Sequence, residues 1–209
     1  MGPKPSIRVK VATEDWEFEQ IHHLNHQTFV EEIPQHPATA SARLVDKFHG
    51  ENVYIIAEEA HRVVGMLAIR GQRPFSLDQR LPNLDSLLPA GRLICELRLL
   101  AVDRPDRSGH VLPALLEYVW RYCVEQGYDL ALISGITRQL RLYRHLGFEP
   151  FGPLVGTRDA LFQPMMLTLE RFEPRARWLV RRAATATPSA PVDLPPGVAY
   201  RDEPDRSQG

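Results

Sequence analysis

The sequence predicts a mixed α/β sandwich: an otherwise antiparallel sheet containing one parallel strand pair. Three observations predict it. IRVKV alternates Ile7, Val9 and Val11 with Arg8 and Lys10, the period of a half-buried strand. VYIIAEE and VVGMLAIR flank the short AHR segment and read as a hairpin. The apolar run RLICELRLLAV, then a helical pattern, then YDLALIS give strand, helix, strand, which is the order of a right-handed parallel crossover.

The elements follow in order. After the first strand Thr13 is the expected N-cap, because Glu14, Asp15 and Glu17 would complement the positive end of a helix reaching about Val30. A shorter helix is expected from Ser41, with Leu44, Val45 and Phe48 on one face and Gly50 as its left-handed stop. Between Gly71 and Gly91 no period holds, Pro74, Pro82 and Pro89 interrupt, and the reading is a long functional loop. RLICELRLLAV suits a central strand buried on both faces. Val111, Leu115, Leu116, Val119 and Cys123 recur at helical spacing up to Gly127. RQLRLYRHL makes a short helix ending at Gly147, and QPMMLTLE a last strand.

The chain has 209 residues, 44% hydrophobic and 24% charged, enough for one domain with a real core. A net charge of -1 supplies no global field for nucleic acid or an acidic membrane, so binding must come from a local site. Cys95 and Cys123 make neither a disulfide framework nor zinc spacing and fit a reducing cytoplasm. No apolar run is long enough for a membrane span. Residues 1–5 are read as a flexible start and 6–172 as the domain. Residues 173–209 are read as a basic turn around Trp178 followed by a disordered tail, since Ala183 to Gly209 holds five prolines and few large apolar residues.

The informative stretch is the strand, loop and helix from Ile94 to Leu116. A strand passing through a short loop into a helix leaves the first helical N–H groups free to cradle an anion. Arg104 and Arg107 stand in this loop, with Ser108 as the expected N-cap and Gly109 allowing close backbone approach. His22 and His26 are one helical turn apart, but the glutamate of a zinc-protease pair is missing. These histidines, with His23, are read as solvated helix positions, and no metal is expected.

Tyr143-Arg144-His145-Leu146-Gly147-Phe148, together with LAVDRPDRSGHVLPALL, resembles the GNAT acyltransferase superfamily over about residues 6 to 172. The resemblance implies helices on both faces of the sheet and a splayed parallel strand pair. It also implies a phosphopantetheine thioester donor, either acyl-CoA, acetyl-CoA or an acyl carrier protein. Arg107 stands in the arginine place of the diphosphate turn, while His110 and Leu112 occupy two glycine places. FVEEI and CELRLLAVD resemble the branch of N-acyl amino acid synthases and acyl-homoserine-lactone synthases. The arginine that lactone synthases carry on the first helix corresponds here to Asn25, and their Glu-x-x-Arg to Glu96-Leu97-Arg98.

Acyl transfer from a thioester to an amine needs a deprotonated amine, a polarised carbonyl and a protonated leaving thiolate. By the resemblance, Glu96 is the expected base acting through water, and Tyr143 the acid for the sulfur. A simple Glu96–Arg98 pair, sharing one face at two-residue spacing, is the plainer alternative. Leu100, Ala101, Val102, Arg104, Arg107, Ser108, Gly109 and His110 are the expected donor-binding residues. Phe29, Glu32 and Arg98 are those of the acceptor. A bulge near Leu99 to Ala101 would free a backbone N–H for the oxyanion. The apolar residues of 71–91, such as Phe75 and Leu81, would cover an acyl or acceptor pocket. The expected function is an N-acyltransferase acting on a small amine such as an amino acid. The alternative is a GNAT-fold module that binds an acyl thioester without turnover.

Overall fold

The computed structural model describes residues 7–37, 40–107, 109–157 and 160–172. The expected flexible start, Ser108 and the basic turn with its tail lie outside them. The strands are β1 (Arg8–Val11), β2 (Val53–Glu59), β3 (Arg62–Arg70), β4 (Ile94–Val102), β5 (Leu130–Ile136), β6 (Glu149–Pro150), β7 (Val155–Thr157) and β8 (Ala160–Thr168). They form one sheet in the order β1-β2-β3-β4-β5-β8-β6, with β7 also on β8. Every pairing is antiparallel except β4 with β5. Ala60 and His61 take positive φ in the two-residue turn between β2 and β3, the geometry that matches strand twist in a tight hairpin.

α1 (Asp15–His26) continues as a π-helical turn over Gln27–Glu32 and packs on one face of the sheet. Ile21 and Leu24 meet Tyr54, Ile56, Met66 and Ala68 there. α3 (Val111–Glu125) covers the other face, where its buried Val111, Leu115, Val119 and Cys123 fit the spacing read from the sequence. Gly65 permits this approach, since a Cβ there would lie 2.7 Å from Val111 Cγ1. α4 (Leu140–Leu146) ends at Gly147 with φ 101°, and Gly127 after α3 has φ 75°; both are left-handed stops where glycine carries no Cβ penalty. No helix among the described residues is long and apolar enough to cross a membrane.

Four local expectations are corrected. The N-cap of α1 is Glu14, not Thr13: the Glu17 carboxylate reaches back to accept from both the Thr13 and Glu14 amides, at 2.7 and 3.0 Å. No helix starts at Ser41. The segment is irregular until a single 3-10 turn at His49–Glu51, because it is tied to α1 instead: Leu44 N–H donates to His22 O at 3.0 Å. His22 and His26 are buried, not solvated: Arg43 of that same segment lies 3.2 Å from His22 Nδ1, and Glu31 of the π-helical turn lies 3.1 Å from His26 Nδ1. The 71–91 stretch is not an apolar cover for a pocket. It contains a short helix, α2 (Leu84–Leu87), and buries Phe75, Leu77, Leu81 and Leu84 against Leu130, Leu132, Ile136 and Phe162. Its apolar surface is consumed by the core.

Candidate active site

The β4–β5 pair is the centre of the site. Its pairing among the described residues joins Ile94, Cys95 and Glu96 to Leu130, Ala131 and Leu132, and beyond that the two strands diverge. β4 continues against β3 and β5 against β8. In β4 the register jumps, so that Leu99 and Leu100 together face Leu67. Leu99 has φ 54°, a left-handed conformation that a branched residue holds only at a cost of about 1–3 kcal/mol. This is the bulge expected near Leu99 to Ala101. It puts Arg98 and Leu99 successively toward the α1 face, whereas Leu97 and Leu100 join the α3 face. A splayed strand with a bulge exposes backbone donors that a paired strand uses.

Glu96 is fully buried on the α1 face. One carboxylate oxygen accepts from the Ser76 amide at 2.8 Å and lies 3.2 Å from Arg98 Nη1, and the other accepts from the Ser76 hydroxyl. The pairing with Arg98 is therefore present, and Ser76 adds to it. Arg98 also donates to Asp46 at 2.8 Å, and its guanidinium lies 4.9 Å from the Phe48 ring. Ser76 and Asp46 come from irregular segments whose distance in sequence hid them, and no sequence signal marks either.

Tyr143 lies on the opposite, α3–α4 face. Its ring covers Gly135 of β5, where a Cβ would sit 2.9 Å from Cδ2, and its hydroxyl donates to Gln139 Oε1 at 3.5 Å. Burial raises the pKa of this phenol while the Ile136 amide works against the rise. The group thus stays protonated at neutral pH, as a proton donor must. Glu96 and Tyr143 thus stand on opposite faces of the sheet, flanking the divergence of β4 and β5 rather than lining one shared pocket.

Asp103, Asp106 and Arg107, in the loop between β4 and α3, are each held by a side-chain bond. Arg62 bridges Asp103 at 2.6 Å and Asp106 at 3.1 Å, and Arg107 Nε donates to Val102 O at 2.8 Å. His110, not Ser108, is the N-cap position of α3, and Gly109 precedes it. Val111 and Leu112 supply amides to the first turn, while Pro113 has none. Arg104 Nε and Arg107 Nη2 converge on Glu32 at 2.9 and 2.7 Å. Two residues expected at the donor thus meet one expected at the acceptor, across the end of the π-helical turn. Phe29 and Leu99 both pack against the core cluster under α1 that includes Ala101. On the α3 face an apolar cavity of about 50 Å3 is bordered by Leu97, Leu116, Trp120, Cys123, Ala131 and Phe172. No group of three or more metal-ligating side chains is found among the described residues.

The fold is shared with solved structures. The CoA-dependent acyl-homoserine lactone synthase BjaI, in a structure with SAM and isopentyl-CoA, superposes with a TM-score of 0.74 at 24% identity, over 91% of this chain and 94% of that one. FeeM, an N-acyl amino acid synthase from uncultured soil microbes, gives 0.66 at 15% identity, over 84% and 99% of the two chains. An N-acetyltransferase-like structure from Lactobacillus plantarum gives 0.57 at 13%, over 78% and 99%. At these identities the likeness is one of fold. No curated protein matches the sequence. The family model for the N-acyl amino acid synthase FeeM, however, matches residues 20–168, from α1 to the last residue of β8 and so across the whole splayed site. The chain therefore belongs to the N-acyl amino acid synthase FeeM family and is an acyltransferase that joins an acyl group to an amine.

Proposed function

We propose that the protein transfers an acyl group from a phosphopantetheine thioester to the amino group of a small amino acid-like acceptor. The observation that carries this reading is the divergence of β4 from β5, with a bulge at Leu99 and with Glu96 and Tyr143 on its two flanks. In this reading the pantetheine arm approaches along the α3–α4 face. Arg104, Arg107 and the amides around Gly109, His110 and Val111 take the phosphates, and Leu100, Ala101 and Val102 line the arm. Arg138, Arg141 and Arg144 are exposed beside Tyr143 and suit the phosphates of coenzyme A or an acidic carrier protein. The apolar cavity beside Leu97 is assigned to the acyl tail.

The acceptor enters from the α1 face, past Phe29, toward Glu96. Glu96, through a water, takes a proton from the amine. The nitrogen attacks the thioester carbon, a bulge amide near Leu99 holds the oxyanion, and Tyr143 delivers a proton to the leaving sulfur. The products are an N-acyl amine and a free thiol. Because acid and base lie on different faces, each acts on its own side of the reacting carbon, with no proton passing directly between them. We place the enzyme in the cytoplasm, where Cys95 and Cys123 stay reduced. Their sulfurs are 3.9 Å apart, and both are buried as free thiols.

The testing experiment incubates the purified chain with acyl-CoA and acyl carrier protein donors of varied length and a mixture of amino acids. Product is read by mass spectrometry and thiol release. Acylated amines are the expected result. Thermal stabilisation by acyl-CoA with no product under any pairing would favour the non-catalytic binding module. That second reading is supported by His110 and Leu112 at the two glycine places and by the hold of Glu32 on both arginines.

A further inference from the structure

We propose that the Ser76 hydroxyl is a proton relay to Glu96: the proton lost by the acceptor nitrogen reaches the carboxylate through Ser76 Oγ. The inference rests on the reading of Glu96 as the base, and it adds the group through which a water serves that base.

Glu96 is fully buried, so its carboxylate has no surface open to solvent. Three donors hold it: the Ser76 amide at 2.8 Å and Arg98 Nη1 at 3.2 Å on one oxygen, and the Ser76 hydroxyl on the other. Two of the three only donate, since a peptide N–H keeps its proton and an arginine stays charged in a protein. A hydroxyl gives its hydrogen and has lone pairs left to accept another, so it alone of the three can pass a proton on. Arg70 stands opposite Glu96 in the β3–β4 register, but its Nε donates to Pro74 O at 2.7 Å and its Nη2 lies 2.6 Å from Glu51. Lys47 and Arg80 feel the charge of Glu96, yet Lys47 donates to Gln79 and Arg80 lies over the Phe162 ring.

The chain around Ser76 is fixed. Phe75 and Leu77 on either side are buried in one apolar cluster with Leu132 of β5. The Phe75 amide donates to Asp78 at 2.6 Å, and Asp78 accepts in turn from Arg73 at 2.7 Å. Ser76 itself is half-buried, which makes it the open member of its pair with Glu96. In the relay, the acceptor N–H bond breaks as its proton passes to the water, and the water gives a proton to Ser76 Oγ. The Ser76 O–H proton passes to Glu96. The lone pair left on nitrogen forms the bond to the thioester carbon, and the leaving sulfur takes its proton from Tyr143. Ser76 ends as it began, and Glu96 returns its proton to solvent by the same route.

The test assays wild type, Ser76→Ala, Ser76→Asn and Ser76→Thr as full chains with the acyl-CoA and amino acid mixtures. Ser76→Ala should lose about 100-fold in kcat at pH 7, the lower range for one positioned proton transfer, with donor KM unchanged. Ser76→Asn keeps a donor for Glu96 but has no proton to relay, and should be as slow. Ser76→Thr keeps the hydroxyl and should stay within about threefold of wild type. Above the α-amino pKa of about 8, free amine and hydroxide replace the relay, so the Ser76→Ala deficit should narrow as pH rises to 9. A group that merely holds Glu96 in place would give the same deficit at every pH. Wild-type turnover in Ser76→Ala, recovery in Ser76→Asn, equal loss in Ser76→Thr, or a deficit constant with pH overturns the relay and leaves the acyl-transfer reading standing. If the wild type acylates no acceptor, that reading fails and the relay with it.

Discussion

Gly135→Ala is a one-carbon test of the place given to Tyr143. Gly135 sits in a regular strand without positive φ, so alanine is tolerated by the backbone there, and the only cost is spatial. The new Cβ would meet Tyr143 Cδ2 at 2.9 Å, Cε2 at 3.0 Å and Met165 Sδ at 3.2 Å. The ring must therefore tilt off β5 and carry its hydroxyl away from Gln139 and the Ile136 amide. Overpacking of this kind costs about 1–3 kcal/mol, and each kcal/mol lowers Tm by about 2–4 °C in a chain of this size. If the hydroxyl protonates the leaving sulfur, its displacement should cost kcat about 100-fold, the lower range for one positioned proton transfer. Tyr143→Phe should show the same kinetic loss with almost no change in Tm. The double variant should be no slower than either single one, because both remove one function. Thiol release at saturating donor and acceptor, beside thermal unfolding, reads both effects. Full kcat in Gly135→Ala, or additive losses in the double variant, would refute the role given to Tyr143.

Other expectations can be checked on the same protein. Glu96→Gln turns an amide N–H toward donors on Ser76 or Arg98, and should lower stability by about 1–3 kcal/mol while reducing kcat at least 100-fold; a loss within threefold in turnover would remove Glu96 as the base. Glu32→Gln releases Arg104 and Arg107. Exposed pairs are worth about 0.2–1 kcal/mol, so donor KM should fall by up to about fivefold, with titration by coenzyme A as the direct measurement. Burial pushes the Glu17 pKa up, but Lys10 and the Thr13 and Glu14 amides outweigh it, so the folded value is depressed. Its stabilisation is present above the unfolded carboxylate pKa and fades as pH falls through the folded one. Urea unfolding should thus find Glu17→Gln weaker than wild type at pH 7, with the gap closing below about pH 4.

Much of the architecture was legible in the residues. Alternation in IRVKV, the hairpin around Ala60 and His61, and the apolar spacing of α3 are local patterns. Local patterns encode elements because side-chain direction repeats with backbone period. The Tyr143–Phe148 ending and the loop after β4 carried the family resemblance, and the bulge at Leu99 fell where it was expected. The sequence could not reveal what touches what across the site. Leu44, Val45 and Phe48 have helical spacing, yet the chain there runs along α1 and sets Phe48 beneath the guanidinium of Arg70, 4.0 Å away. Glu96 meets Ser76, Arg98 meets Asp46, and Glu32 meets Arg104 and Arg107, each across a separation that periodicity does not encode. Elements are set by short-range sterics and by which residues must leave water. The pairing of charges depends on which segments the sheet and its loops bring together, and only the folded chain decides that.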